Sequence, residues 1–260
     1  MDIVALARRH LRDYHVREPG TCFADAGFNL DLRGAYELQA EVSALRVAGG
    51  DRVIGYKVGC TGPGTIAQFG MAGPIRGHLF ASEVHQTGVA LVASEFAQLA
   101  IEGEMAVRIG NDGEIAAAFP VVELHHFVFR APRKTLIELV ANNGLNAGVV
   151  FPMQKWLTSH SRPMSHGALS VQIGSARVGS GDLWPLPGGP TASVDWLRRH
   201  LSEFGLMLIP GQIVLSGTSL GLYPVAPGDQ IAVLLDEEPA VQCQIVQKAI
   251  GFNAGPFDRC

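Results

Sequence analysis

The chain has 260 residues, of which 47% are hydrophobic and 17% are charged, a composition that can bury a large core and argues against disorder. A net charge of −4, with no run of lysine or arginine, argues against nucleic acid and anionic membranes as partners. The four cysteines include no C-x-x-C pair, and the sequence shows neither an export signal nor an apolar run of about 18 residues. We therefore expect a cytoplasmic protein, without a zinc site or disulfides, that acts on a small molecule.

The N-terminal part of the chain is predicted to be helical. Apolar residues between Val4 and Tyr14 recur at helical spacing after Asp2, which can cap the helix. A second helix is predicted from about Leu32 to Val47, where Gly49-Gly50 then stops it. We expect one domain over residues 1–260, with a helical N-terminal segment in residues 1–50 and a β-rich core in residues 51–260.

Strands and loops are predicted through the middle of the chain. Apolar or alternating runs indicate strands at about Arg52–Val58, from about Leu99, and at Ala118–His125. Glycine and proline punctuate Gly59–Gly77, so an irregular loop is predicted there. A short helix is predicted to begin at Pro132 and to end at Asn143-Gly144.

The C-terminal part is predicted to consist mainly of strands. A hairpin turning at Gly174-Ser175 and a helix ended by Gly205 come first. The later strands are predicted at Ile213–Leu215, Gln230–Leu235 and Val241–Lys248. Strands occur in clusters rather than alternating with helices, and no G-x-G-x-x-G follows a strand, which disfavours a dinucleotide-binding fold. The pattern favours an α+β fold with a β-rich core.

Two glutamates stand out on the strand that begins near Leu99. The alternation over Ile101–Ile109 places Glu102 and Glu104 on the face opposite its apolar residues. Alternate residues of a strand lie about 6.6 Å apart, so two such carboxylates can reach one divalent cation. From the strand alone, the alternative is a half-buried strand whose polar face contacts water.

Several short motifs occur in an order that resembles one known family. They are Ala35-Tyr36-Glu37-Leu38-Gln39, Gly55-Tyr56-Lys57-Val58-Gly59-Cys60-Thr61, Glu102-Gly103-Glu104, Val122-Glu123, Asn142-Asn143, Ser216-Gly217-Thr218-Ser219 and Val225-Ala226-Pro227-Gly228-Asp229. Together, over roughly residues 30–235, they resemble the 2-keto-4-pentenoate hydratase family of the fumarylacetoacetate hydrolase superfamily, which also contains 4-oxalocrotonate decarboxylases.

The resemblance implies a fold and a metal site. The implied fold is a β-rich roll or sandwich with flanking helices, of the fumarylacetoacetate hydrolase C-terminal-domain type. The implied cofactor is Mg²⁺ or Mn²⁺, with Glu102, Glu104 and Glu123 as ligands. Three carboxylates are a hard oxygen set that suits these cations better than zinc. Burying Glu123 unpaired in an apolar strand would be energetically costly, and a shared metal removes that cost. The alternative is a surface glutamate at a sheet edge.

Lys57 is the implied catalytic residue. It lies in a short strand bounded by glycines, where a buried ammonium needs an anionic partner. The resemblance implies that Lys57 binds the carboxylate of a 2-oxo acid or transfers a proton. The alternative is a surface lysine whose charged end reaches water.

Three further residues are candidates for substrate binding. Thr218 and Ser219 lie in a segment of small residues and hydroxyls that can form an oxyanion pocket, although a common glycine-serine turn has the same composition. Asn143 is the third, and Asn143-Gly144 equally fits a helix C-cap. The residues after Glu123 depart from the family pattern. There, His125 and His126 point to opposite strand faces, so one of them can line the site as an acid or base, while a structural role fits either.

The function that the resemblance implies is a metal-dependent lyase acting on a short 2-oxo acid. We expect a 2-hydroxypenta-2,4-dienoate (2-keto-4-pentenoate) type hydratase of aromatic catabolism, in which the metal stabilises an enolate and water adds to the β-carbon. Alternatives are a 4-oxalocrotonate or oxaloacetate-type decarboxylase, an acylpyruvate-type C–C hydrolase, and an inactive binding or assembly protein. A mean hydropathy of +0.20 with little charge also predicts a homo-oligomer.

Overall fold

The computed structural model describes residues 2–18, 20–25, 27–71, 73–128, 135–159 and 166–248. The helices in these ranges are α1 (Ile3–Val16), α2 (Leu32–Ala48), α3 (Pro63–Phe69), α4 (Leu136–Ala141), α5 (Gln154–Ser159) and α6 (Pro190–Ser202). The strands are β1 (Val53–Gly59), β2 (Ile75–Phe80), β3 (Val84–Gln86), β4 (Val89–Val92), β5 (Ala100–Ile109), β6 (Ile115–His125), β7 (Asn146–Phe151), β8 (Ala168–Ile173), β9 (Ala176–Asp182), β10 (Ile213–Leu215), β11 (Tyr223–Pro224), β12 (Gln230–Leu235) and β13 (Glu238–Val246). Short 3₁₀ turns cover Thr21–Ala24, Ala81–Glu83, Ala93–Glu95 and Asn143–Leu145.

Within the described ranges, the strands form two sheets. The larger has the order β2-β1-β10-β5-β6-β7-β3, with β11 added against β5, and the smaller has the order β4-β13-β12-β8-β9. Most neighbours are antiparallel, but β1 and β10 are parallel. The predicted α+β fold with a β-rich core and flanking helices is therefore confirmed.

The two sheets pack face to face through the apolar side of β5. Ile101, Met105 and Val107 are fully buried in a cluster with side chains of the smaller sheet, such as Val171. Gly103 lies on the same side, and a Cβ added there would sit 2.5 Å from Cγ2 of Val171. The absence of a side chain at Gly103 lets the sheets approach closely, and the opposite side of β5 is left to carry the glutamates.

Helices α1 and α2 cover a second cluster at the side of the larger sheet. Asp2 accepts a hydrogen bond from the Ala5 amide, and Asp31 accepts one from the Gly34 amide, so both helices begin with a capping aspartate. Their buried residues, among them Ala7 and Leu38, pack with α4. None of the described helices has both the length and the apolar character needed to cross a membrane.

Most predicted elements are observed close to their predicted bounds, but the irregular loop predicted over Gly59–Gly77 is wrong in part. This stretch contains α3 and the start of the edge strand β2. Gly62 and Gly70 flank α3, with Gly70 left-handed at φ 62°, so the glycines and the proline mark helix ends rather than a loop. Residues of β2 are buried throughout and show no alternation to reveal a strand. The predicted helix start at Pro132 lies outside the described residues, and α4 begins after a Thr135 cap.

Candidate metal centre and active site

The acidic residues meet where β5 and β6 run side by side. In this antiparallel pair Glu102 lies directly opposite Glu123, and Ala100 lies opposite His125. Directly opposed residues share a sheet face, and residues two apart on β6 do as well, so Glu102, Glu123 and His125 project to one side. Like charges directly opposite each other destabilise a strand pair unless a cation lies between or beside them.

Lys57 supplies one such cation from β1. Its Nζ lies 2.8 Å from Oε1 of Glu123, and the two side chains are only 3% and 2% exposed. Burial alone would lower the pKa of Lys57, but the charges of Glu123 and Glu102 and the hydrogen bond to Glu123 raise it instead. The same ion pair overcomes burial at Glu123, whose pKa is lowered. Lys57 is therefore a buried ammonium and Glu123 a buried carboxylate.

Asn146 gives Glu123 a second donor that the sequence did not suggest. Its side-chain nitrogen Nδ2 donates to Oε1 of Glu123 at 2.8 Å, and its side-chain oxygen Oδ1 accepts from the Gly148 amide at 3.2 Å. This residue lies at the start of β7, beside the bulge that follows Leu124 in the β6–β7 pairing. The amide fixes the orientation of the Glu123 carboxylate, so that its other oxygen, Oε2, faces His125.

Glu104 lies behind this pair and is almost fully buried. Its Oε2 accepts a hydrogen bond of 2.7 Å from the Gly217 amide, whereas Oε1 has no hydrogen-bond partner among the described residues. Burial and the nearby charge of Glu123 raise the pKa of Glu104 well above its usual range. Three acids face one lysine here. The donor set fits a divalent cation such as Mg²⁺ or Mn²⁺.

His125 lies beside the predicted ligands Glu102 and Glu123. Its Nε2 lies 3.2 Å from Oε2 of Glu102 and 3.5 Å from Oε2 of Glu123. Among the described residues, Glu102, Glu123 and His125 form a group whose potential ligand atoms all lie within 4.8 Å of one another. Sequence offered a signal for this, since His125 follows Glu123 by two residues on the same strand.

A cavity of about 480 Å³ opens in front of these groups. Its wall includes Lys57, Glu102 and His125, and the loop of Gly217, Thr218 and Ser219 lines another part of the cavity. Thr218 is half-buried and Ser219 is exposed, so both hydroxyls lie at the mouth. The structure thus brings the predicted Lys57, Thr218 and Ser219 to one cavity with Glu102.

Asn143, predicted to contact substrate, binds the backbone of β2 in this structure. Its side-chain oxygen accepts from the His78 amide at 2.6 Å, and its side-chain nitrogen donates to the His78 carbonyl at 2.8 Å. Asn143 is not among the residues that line the cavity. Instead it ties a left-handed turn to β2, with φ of 58°, 60° and 65° at Asn143, Gly144 and Leu145. The turn holds Gly144 against Lys57, where a Cβ would sit 2.8 Å from Cε of the lysine.

Comparison with known proteins identifies relatives along most of the chain, although no protein-family model matches it. A 2-hydroxyhexa-2,4-dienoate hydratase of Comamonas testosteroni is 26% identical over 80% of this chain and 83% of its own length. A 4-oxalocrotonate decarboxylase of Pseudomonas sp. strain CF600 is 27% identical over 79% and 82%. This chain is similar to these hydratases and decarboxylases over about four fifths of its length.

A solved structure agrees with the fold. The 4-oxalocrotonate decarboxylase from Pseudomonas putida G7, complexed with magnesium and adipate, superposes with a TM-score of 0.84 at 21% identity. The match covers 94% of this chain and 97% of that protein. At this identity the likeness establishes the fold, and the fold is the one that the sequence resemblance implied.

Proposed function

We propose that this protein is a metal-dependent hydratase of a short 2-oxo acid, of the 2-hydroxypenta-2,4-dienoate (2-keto-4-pentenoate) type. The observation that carries the proposal is the group of Glu102, Glu104 and Glu123 beside the Lys57 ammonium. Glu104 and Glu123 are buried, and Glu102 and Lys57 line a cavity of about 480 Å³. A relative named for hydration of a 2-hydroxydienoate supports the reaction class. A concave cavity with a few charged groups is typical of a binding site for a small molecule rather than for a macromolecule.

The cofactor that we propose is Mg²⁺ or Mn²⁺, held by Glu102, Glu104 and Glu123. The burial of the Glu104 carboxyl beside the Glu123 carboxylate and the direct opposition of Glu102 and Glu123 are the features of this chain that a divalent cation would relieve. When bound, such a cation supplies Lewis-acid stabilisation of the enolate form of a 2-oxo acid.

We assign substrate placement to Lys57, Thr218 and Ser219. The Lys57 ammonium lies at the wall of the cavity, where it can hold the substrate carboxylate or donate a proton from Nζ. Thr218 and Ser219 place hydroxyls at the mouth, where they can donate to the same carboxylate. Hydration then adds the elements of water across the conjugated C=C bond of the keto form, with hydroxide at the β-carbon and a proton at the α-carbon.

The second candidate function is decarboxylation of a 4-oxalocrotonate-type acid, with acylpyruvate-type C–C hydrolysis third. The sequence similarity to a 4-oxalocrotonate decarboxylase, 27% identical over 79% of this chain, favours this second candidate. Both reactions need the same stabilised enolate, and they differ in the bond that breaks. A non-catalytic binding or assembly role is the remaining alternative.

A substrate panel tests the proposal. Purified protein is assayed with 2-hydroxypenta-2,4-dienoate, 4-oxalocrotonate and an acylpyruvate, each with Mg²⁺, with Mn²⁺ and after chelation, and loss of ultraviolet absorbance is followed. We expect metal-dependent turnover of the dienoate above the other two, and no turnover by Glu102→Gln. Faster loss of 4-oxalocrotonate with release of CO₂ would favour the decarboxylase. Turnover of none of them would favour the binding protein.

We also propose a cytoplasmic homo-oligomer. The described cysteines Cys22, Cys60 and Cys243 are free thiols, which suits a reducing compartment. Exposed apolar side chains, including Met207 at 73% exposed and Val16 at 53%, support a surface that another copy covers.

A further inference from the structure

His125 is a buried polar side chain at the wall of the cavity. It is only 4% exposed, and Nδ1 has no hydrogen-bond partner among the described residues. Nε2 lies beside the carboxylates of Glu102 and Glu123. The ring lines the cavity next to Glu102. Its nitrogen lone pair or proton is thus directed toward the same space as the acids.

The distances around Nε2 are those of ligands that share a centre. It lies 3.2 Å from Oε2 of Glu102 and 3.5 Å from Oε2 of Glu123, so one nitrogen is close to oxygens of two carboxylates at once. Ligands at about 2.1 Å from one cation are about 3.0 Å apart in an octahedron and about 3.4 Å apart in a tetrahedron. The observed separations fall near these values.

We infer that His125 Nε2 is a ligand of the bound cation, together with Glu102 and Glu123, and that the site therefore prefers Mn²⁺ to Mg²⁺. The inference rests on the metal site of the proposed function and specifies its ligands and selectivity. Imidazole nitrogen suits first-row transition metals, whereas Mg²⁺ takes oxygen ligands and retains water. One imidazole among carboxylates raises the affinity for Mn²⁺ more than the affinity for Mg²⁺.

The test observes the nitrogen directly. Electron spin-echo envelope modulation of the Mn²⁺-loaded protein detects ¹⁴N bound to the ion, and calorimetry gives the ratio of Mn²⁺ to Mg²⁺ affinity. We expect ¹⁴N modulation in the wild type and in the neighbouring control His126→Gln, and none in His125→Leu. The affinity ratio should fall by at least about tenfold in His125→Leu and stay unchanged in the control.

A labelled sample keeps the inference testable if His125→Leu does not fold. Wild-type protein containing ¹⁵N-histidine must lose the ¹⁴N pattern, since any signal from Lys57 or the backbone would remain. Bound Mn²⁺ without histidine ¹⁴N modulation would overturn the role of His125 and leave the proposed metal site intact. Failure of Mn²⁺ and Mg²⁺ to bind at all would overturn the metal site and, with it, this inference.

Discussion

Replacing Lys57 with methionine removes a charge from the most buried ion pair of the site while keeping most of the apolar stem. The Lys57–Glu123 pair is 2.8 Å long, and both side chains are at most 3% exposed. Breaking such a pair from one side leaves an uncompensated buried charge and typically costs about 3–5 kcal/mol. We expect Lys57→Met to fold, to be less stable without metal, and to lose turnover by orders of magnitude.

The loss of stability in Lys57→Met is limited because Glu123 can take up a proton. An ordinary glutamate pKa is about 4.3, and each pH unit above it costs about 1.4 kcal/mol, so protonation at pH 7 costs roughly 4 kcal/mol. Lys57 lowers the pKa of Glu123, and a carboxylate with a lowered pKa contributes stability above its unfolded pKa that is lost as the pH falls. The penalty of Lys57→Met should therefore shrink from about 3–4 kcal/mol at pH 7 to about 1 kcal/mol at pH 5.

Urea denaturation in the presence of a chelator, at pH 7 and pH 5, measures this difference. Lys155→Met is the matched control, because Lys155 pairs with Glu238 at 3.7 Å on the surface. This variant should lower the free energy of unfolding by less than about 0.5 kcal/mol. The double variant Lys57→Met/Glu123→Gln should recover most of the stability, since neither partner is then charged. An equal penalty at the two pH values, or a double variant as unstable as Lys57→Met, would refute the reasoning.

The other predictions concern the metal, the packing of the sheets and assembly. Glu102→Gln and Glu104→Gln should each abolish Mg²⁺ and Mn²⁺ binding in calorimetry, and wild-type affinity should fall below about pH 5; unchanged binding in both variants would contradict the ligand set. Gly103→Ala should lower the free energy of unfolding, measured with urea, by about 1–3 kcal/mol, because its Cβ would lie 2.5 Å from Val171. Gly27→Ala, with open space around it, should lower it much less. Light scattering after gel filtration should give a multiple of the 27.7 kDa chain mass, and that mass itself at every dilution would show a monomer.

Local patterns predicted the elements that carry the acids. Period-two alternation on β5 places Glu102 and Glu104 opposite the apolar residues, and this follows from three or four neighbours in sequence. The helix ends followed from capping residues such as Asp2 and Asp31. These features depend on short stretches of chain, so the sequence contains the information needed to place them.

Contacts between distant segments could not be predicted in the same way. The Gly217 amide that binds Glu104 is 113 positions away, and Asn146 reaches Glu123 only because of the pairing between β6 and β7. Asn143 was a substrate candidate through the resemblance alone, and its hydrogen bonds to the His78 backbone depend on the position of β2, which was predicted as loop. A buried edge strand without alternation gives no local signal, so the contact between Asn143 and β2 could not be predicted.

The short strand β10 lies between β1 and β5, so the strand that bears Lys57 joins the strand that bears Glu102 only through residues 213–215. A ribosome makes β5 and β6 about a hundred residues before β10, and these two strands are sequential and can pair early. During that interval the opposed acids lack their lysine, and loop closure over a long stretch of chain is needed before it reaches them. We therefore expect the site to be completed only after β10 has been made and has brought β1 alongside β5.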